Sequence, residues 1–242
     1  MKAQERHHLK QNEFAESVAR IAVAARANRD RLILAVAVVV LIAGIGGAFL
    51  VWQNKKRDLA GADFAKAMTV AQSQIAPPPT VPGATQAPGT FPNMRARQEA
   101  ALAAFQQVAA AYPSSDDGIA AAYQAAATLV SLDRLPEAEK AYQDVMSRSG
   151  SSIYGAMARM GLAETLVAEK QFDRAIKEYT DLSAQRDGAV PVDSVLMQLA
   201  RAYVKAGKTT EARAAFKRVV DEFPDSNYVA DARLQITTLS GD

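Results

Sequence analysis

Leu199-Ala200-Arg201-Ala202-Tyr203-Val204-Lys205-Ala206-Gly207-Lys208-Thr209-Thr210-Glu211-Ala212-Arg213-Ala214-Ala215-Phe216 reads as two helices joined by a turn. Leu196, Leu199, Ala200 and Tyr203 fall at i, i+3, i+4 and i+7, which places them on one helical face. Gly207 permits the turn. In the second helix Ala212 stands four residues before Phe216, with Val219 three residues further on. The small side chain lets the partner helix approach closely, and the aromatic fills the gap beside it. Pro224 ends the second helix, because its ring cannot continue the hydrogen-bond ladder.

The pattern recurs upstream. Ala101, Phe105 and Val108 repeat it, as do Ala138, Tyr142 and Val145, then Ala175, Tyr179 and Leu182; successive alanines are 37 residues apart in all three intervals. The preceding helices offer Leu162, Ala163 and Leu166 in one repeat and Ala125, Ala126 and Leu129 in another, while Pro113 matches Pro224. A fixed period of this size predicts stacked helical hairpins, an all-α solenoid. Composition agrees: 50 alanines in 242 residues, 13 glycines and 7% aromatics suit close-packed helices.

On these residues the chain resembles the tetratricopeptide repeat family. Leu199-Ala200-Arg201-Ala202-Tyr203, Gly207, Ala212, Phe216 and Pro224 look like a complete repeat, with Ala200 where the motif often has Gly. The other repeats are degenerate, and 37 residues replace the usual period of about 34. The resemblance covers 94–242.

The N-terminal part has a different character. Leu32 to Trp52 is a run of 21 residues without a charged or polar side chain. As a helix it spans roughly 31 Å, the thickness of a bilayer's hydrocarbon core. Arg29-Asp30-Arg31 and Lys55-Lys56-Arg57 flank it, and Trp52 sits where an interfacial aromatic belongs. The 31 residues ahead of the run and its own length argue against a cleaved signal peptide. Arg20, Arg26, Arg29 and Arg31 balance Lys55, Lys56, Arg57 and Lys66, but the short tail adds Lys2, Arg6 and Lys10. Positive charge on short loops sets orientation, so the expected topology is a cytoplasmic N-terminus and an external C-terminal domain. Within the span, Ala43/Gly47 and Gly44/Ala48 form small-xxx-small pairs that would admit a second helix, although glycine is also simply common in such spans.

Five segments follow: a tail over 1–31, a span over 32–52, a helix over 53–75, a Pro-rich linker over 76–93 and the repeat domain over 94–242. In the tail, Phe14, Val18, Ile21 and Ala25 recur at helical spacing, predicting an amphipathic helix. Residues 76–92 hold six prolines, a density that predicts an extended spacer with neither helix nor strand. Phe64 and Met68 give the 53–75 helix an apolar edge with which to complete the first hairpin.

Charge and composition exclude several functions. Residues 1–93 carry 11 Lys/Arg against 6 Asp/Glu, while 94–242 carry 17 against 20, so the basic charge flanks the span instead of striping the folded domain. That distribution disfavours nucleic acid. With no cysteine and only His7 and His8, both in the tail, the domain lacks the parts for Ser-His or Cys-His catalysis, a thiolate metal site or a cysteine-linked lipid. Gly207-Lys208-Thr209 joins two helices and is a turn, not a phosphate loop. No enzyme activity and no cofactor are expected.

Binding is the expected function. In stacked hairpins the first helices line a groove for a peptide or a partner's helix. By register its candidates are Tyr123 and Ala127, then Met157, Met160 and Glu164, then Met197, Arg201 and Lys205. Methionine and tyrosine make an adaptable floor, and the cations await carboxylates or carbonyls. The layout as a whole, together with Ser152-Ile153-Tyr154-Gly155-Ala156-Met157-Ala158-Arg159 through Leu162-Ala163, resembles the ancillary SecYEG translocon subunit (YfgM-like) family. That resemblance implies an inner-membrane protein with periplasmic repeats, partnered by the translocon and a periplasmic chaperone. The Pro-rich segment departs from it. A scaffold of an envelope complex without client binding is the alternative.

Overall fold

The computed structural model describes residues 29–78, 85–149, 152–185 and 188–240. The expected tail helix and both histidines lie outside them. The chain divides into two compact units, Met1–Lys55 and Lys56–Asp242, and helix α1 (Arg29–Ala71) contributes to both.

In the first unit, the described large apolar side chains of α1 from Ile33 to Trp52 are 45–69% exposed. By length and composition, α1 is the one helix among the described residues able to cross a membrane. It contains both expected edges, Leu32 and Trp52. Ala43, Gly44, Gly47 and Ala48 are exposed, and a Cβ built on Gly44 or Gly47 meets nothing within 4 Å. The helix expected to follow the apolar run is continuous with it: Lys55-Lys56-Arg57 are good helix formers, and α1 runs uninterrupted for 43 residues.

The second unit holds the repeats. Its hairpin helices are α2 (Met94–Ala111), α3 (Asp116–Ser131), α4 (Leu135–Ser149), α5 (Ile153–Ala168), α6 (Phe172–Ser183), α7 (Val192–Lys205), α8 (Thr209–Glu222) and α9 (Val229–Thr238). The repeat residues form its core: the four alanines, four aromatics and the Val or Leu three residues on are each at most 5% exposed. Pro113 and Pro224 act alike. α2 and α8 each end two residues before their proline, with Tyr112 and Phe223 in matching backbone conformations.

The end of α1 completes the first hairpin. Ala60 and Ala67 are buried, the Phe64 and Phe105 rings lie 6.1 Å apart, and the Tyr112 hydroxyl donates to Asp63 Oδ2 at 2.9 Å. The segment from 56 onwards is thus part of the repeat unit. α1 stops at Ala71, four residues short of the expected end, and Gln74–Ile75 (β1) pairs in parallel with Thr90–Phe91 (β2). A strand inside 76–92 contradicts the expectation of none. Thr90 and Phe91 lie between Gly89 and Pro92, so no proline occupies a ladder position. Gly89 turns into them at φ 71°, and the Gln86 amide bridges Ala76 O and Thr90 Oγ1, both at 2.8 Å.

The turns inside the hairpins repeat as well. Asp133, Lys170 and Gly207 have φ of 60°, 61° and 74°. The next residue in each case donates five residues back: Arg134 to Leu129 O, Gln171 to Leu166 O and Lys208 to Tyr203 O, at 2.8–2.9 Å. This is a left-handed helix cap that satisfies carbonyls the helix end would leave free.

Candidate protein-binding groove

The first helices of the hairpins, α3, α5 and α7, carry the expected groove residues, and the structure sorts them into three environments. Tyr123 on α3 is half-buried, its ring 6.0 Å from Tyr142 on α4 and 6.3 Å from Tyr154 on α5. α5 approaches α4 closely because Gly161 faces the Tyr142 ring, and an added Cβ there would lie 2.5 Å from Tyr142 Cζ. Met157 and Met160 are half-buried on α5, Met160 packing on the core, and Ala127 is half-buried on α3.

Met197 departs from expectation. It is 1% exposed, inside the core rather than on the groove floor. It belongs to the contiguous buried run Val195-Leu196-Met197, which wraps about 200° of α7, so packing covers more of this helix than one face. Arg201 also differs: it is exposed, but Asp231 on α9 holds its guanidinium at 2.8 Å. Lys205 is exposed and has no ion-pair partner among the described residues.

Glu164, Arg201 and Lys205 line a single cleft of about 340 Å³, with Gln198 and Gln235 on its walls and Tyr179 and Phe216 beneath. Glu164 reaches solvent, yet the surrounding walls strip enough water from it to push its carboxyl above the usual range. It has no ion pair or hydrogen bond among the described residues. Burial pushes the phenols of Tyr123, Tyr142 and Tyr179 up, and the Glu164 charge adds to each shift. Tyr142 and Tyr179 are at most 4% exposed, and neither hydroxyl has a hydrogen-bond partner among the described residues.

The sequence reading missed Gln198, Gln235 and Tyr154. Gln198 stands three residues before Arg201, on the same face, a signal that was available. Gln235 gave none, because α9 lacks the Ala-to-aromatic signature. The assembled surface is aromatic and thioether-rich towards α3 and polar towards α9. Among the described residues it presents no nucleophile paired with a base.

Two family models agree with this architecture. A family model described as a tetratricopeptide repeat-like domain matches residues 27–190, and a second, a tetratricopeptide repeat, matches 166–236. No curated protein matches the chain. Among solved structures, the nearly identical TPR-like repeats of a kinesin light chain-type protein from Podospora anserina align with TM-score 0.52 and 15% identity, over 59% of this chain and 77% of that one. A point variant of that protein gives the same values. A thermophilic TPR protein of Thermus thermophilus aligns with TM-score 0.32 and 16% identity, over 59% of this chain and 90% of that one. The first family match covers more than half of the residues, from ahead of the apolar run to the end of the third hairpin. The chain therefore belongs to the tetratricopeptide repeat-like domain family, a fold of protein interaction.

Proposed function

We propose that the protein is a membrane-tethered binding module whose groove receives peptide segments of other proteins outside the cytoplasmic membrane, as an accessory to secretion or to the folding of exported chains at the translocon. The observation that carries this reading is the cleft lined by Glu164, Gln198, Arg201 and Lys205, polar groups converging above the buried rings of Tyr179 and Phe216. Such a surface suits a chain with both apolar and polar side groups. The exposed apolar run of α1 supports the tether, and the family match spans that run and the first hairpins together. Tethering raises the groove's effective concentration near the membrane, so weak affinity for any one segment gives useful occupancy.

Site-specific photocrosslinking in cells tests it. A photoreactive residue at Gln198, in the cleft, should capture translocon components or nascent exported chains, while one at Lys140, exposed on α4, should not. Capture of one folded envelope protein from Lys140 and nothing from Gln198 would favour the scaffold and discard the groove.

A further inference from the structure

We infer that Glu164 is the recognition point of this groove for a cationic side chain, a Lys or Arg of an extended peptide; the inference rests on the peptide-binding reading above. The cleft has two separated poles. On the α5 wall stands Glu164, without an ion pair or hydrogen bond among the described residues; on the α7 wall stands Lys205, equally unpaired among them. Arg201, also on α7, is already neutralised by Asp231.

An occupant that covers the Glu164 carboxylate takes it out of water, which is costly unless the occupant supplies a positive charge. Other charged side chains of the repeat unit reach each other: Arg134 with Glu137, Lys177 with Asp181, Arg148 with Asp144. Glu164 does not, although Lys205 lines the same cleft.

The surroundings fit a cation with an alkyl stem. Tyr123 on α3 is half-buried and near enough for the Glu164 charge to act on its phenol, and an aromatic face favours a nearby ammonium or guanidinium. Val167, one turn along α5, also lines the cleft and gives the stem an apolar wall. An acidic ligand side chain would be repelled here and would find only Lys205, one helix away. The repeat domain's excess of 20 Asp/Glu over 17 Lys/Arg adds no general barrier to a cation.

The test uses the full chain in zwitterionic nanodiscs and fluorescence anisotropy with three labelled, unstructured ten-residue peptides that differ at one central residue: Lys, Gln or Glu. Wild type should bind the Lys peptide best. Glu164→Gln should weaken that peptide roughly ten-fold, the scale of one lost charge-assisted contact, and leave the Gln peptide unchanged. Glu164→Lys should invert the preference towards the Glu peptide. Lys140→Gln, at an exposed position of α4 outside the cleft, should leave the Lys preference intact, which separates local recognition from a change in net charge. Glu164 is exposed, so these variants are expected to fold, and circular dichroism checks this. Peptides that bind while Glu164→Gln retains the Lys preference would overturn the inference and leave the groove standing. Failure of wild type to bind any of the three would overturn the inference and the peptide-binding reading together.

Discussion

At the residue scale, three turn positions show where repetition meets its limit. Asp133, Lys170 and Gly207 lie 37 residues apart and share one left-handed conformation, yet only the last is glycine. Left-handed backbone is costly for a residue with a Cβ, and Asp tolerates it better than Lys. Lys170→Gly should therefore stabilise the protein by about 0.5–1 kcal/mol and Asp133→Gly by less, read as urea midpoints. A loss of stability at Lys170→Gly would contradict this reading of the backbone. Gly118 is a harder case. A Cβ there would lie 1.8 Å from the Tyr112 carbonyl oxygen, which cannot swing away as a side chain can, so Gly118→Ala should cost at least about 3 kcal/mol. Glycine was legible as a turn at 207 because the residue type announces it. At 133 and 170 only the spacing from Gly207 marked the position, since Asp and Lys carry no turn signal of comparable strength.

At the scale of elements, neighbouring hairpins are linked by ion pairs with a 35-residue offset. Arg134 reaches Glu99 at 3.5 Å, Arg174 reaches Glu139 at 2.7 Å and Lys208 reaches Asp173 at 2.6 Å. These are surface pairs and contribute little individually. The Arg174 guanidinium holds Glu139 below its ordinary carboxyl value of 4.5. A depressed folded pKa means stability that is present above the unfolded value and lost as pH falls through the folded one. Arg174→Ala should therefore show a small deficit at neutral pH that closes as the solution is acidified below about pH 4. A deficit undiminished in acid would mean that Arg174 acts through packing instead. Helix existence was legible from α2 to α8, because the 37-residue period marks those helices, but not at α9. Boundaries were less so. α1 stops at Ala71, four residues short of the expected end. The β1–β2 bridge escaped notice because two residues hemmed in by prolines carry no alternation to read.

At the scale of the whole molecule, the helix on which a groove residue stands was more legible than what that residue touches. Register put Tyr123, Met160, Glu164, Arg201 and Lys205 on the first helices of the hairpins, and helical period alone decides that. Met197 was misjudged because methionine serves core and surface alike, and only the packing around α7 shows it buried. The Arg201–Asp231 pair was invisible because it depends on α9, the one hairpin helix here without any repeat signature. Residues bring the candidate surface into being and elements align it; in the proposed function the tether decides what that surface meets.

That last step is the central claim, and topology tests it most directly. The natural chain has no cysteine, so Ser147→Cys, at an exposed position of α4, makes one thiol reporter. A membrane-impermeant maleimide is applied to cells whose outer membrane alone has been permeabilised. Labelling is the predicted result, with the repeats outside the cytoplasmic membrane. Protection until the inner membrane is lysed, with full labelling in the lysate, would place them in the cytoplasm and contradict the claim.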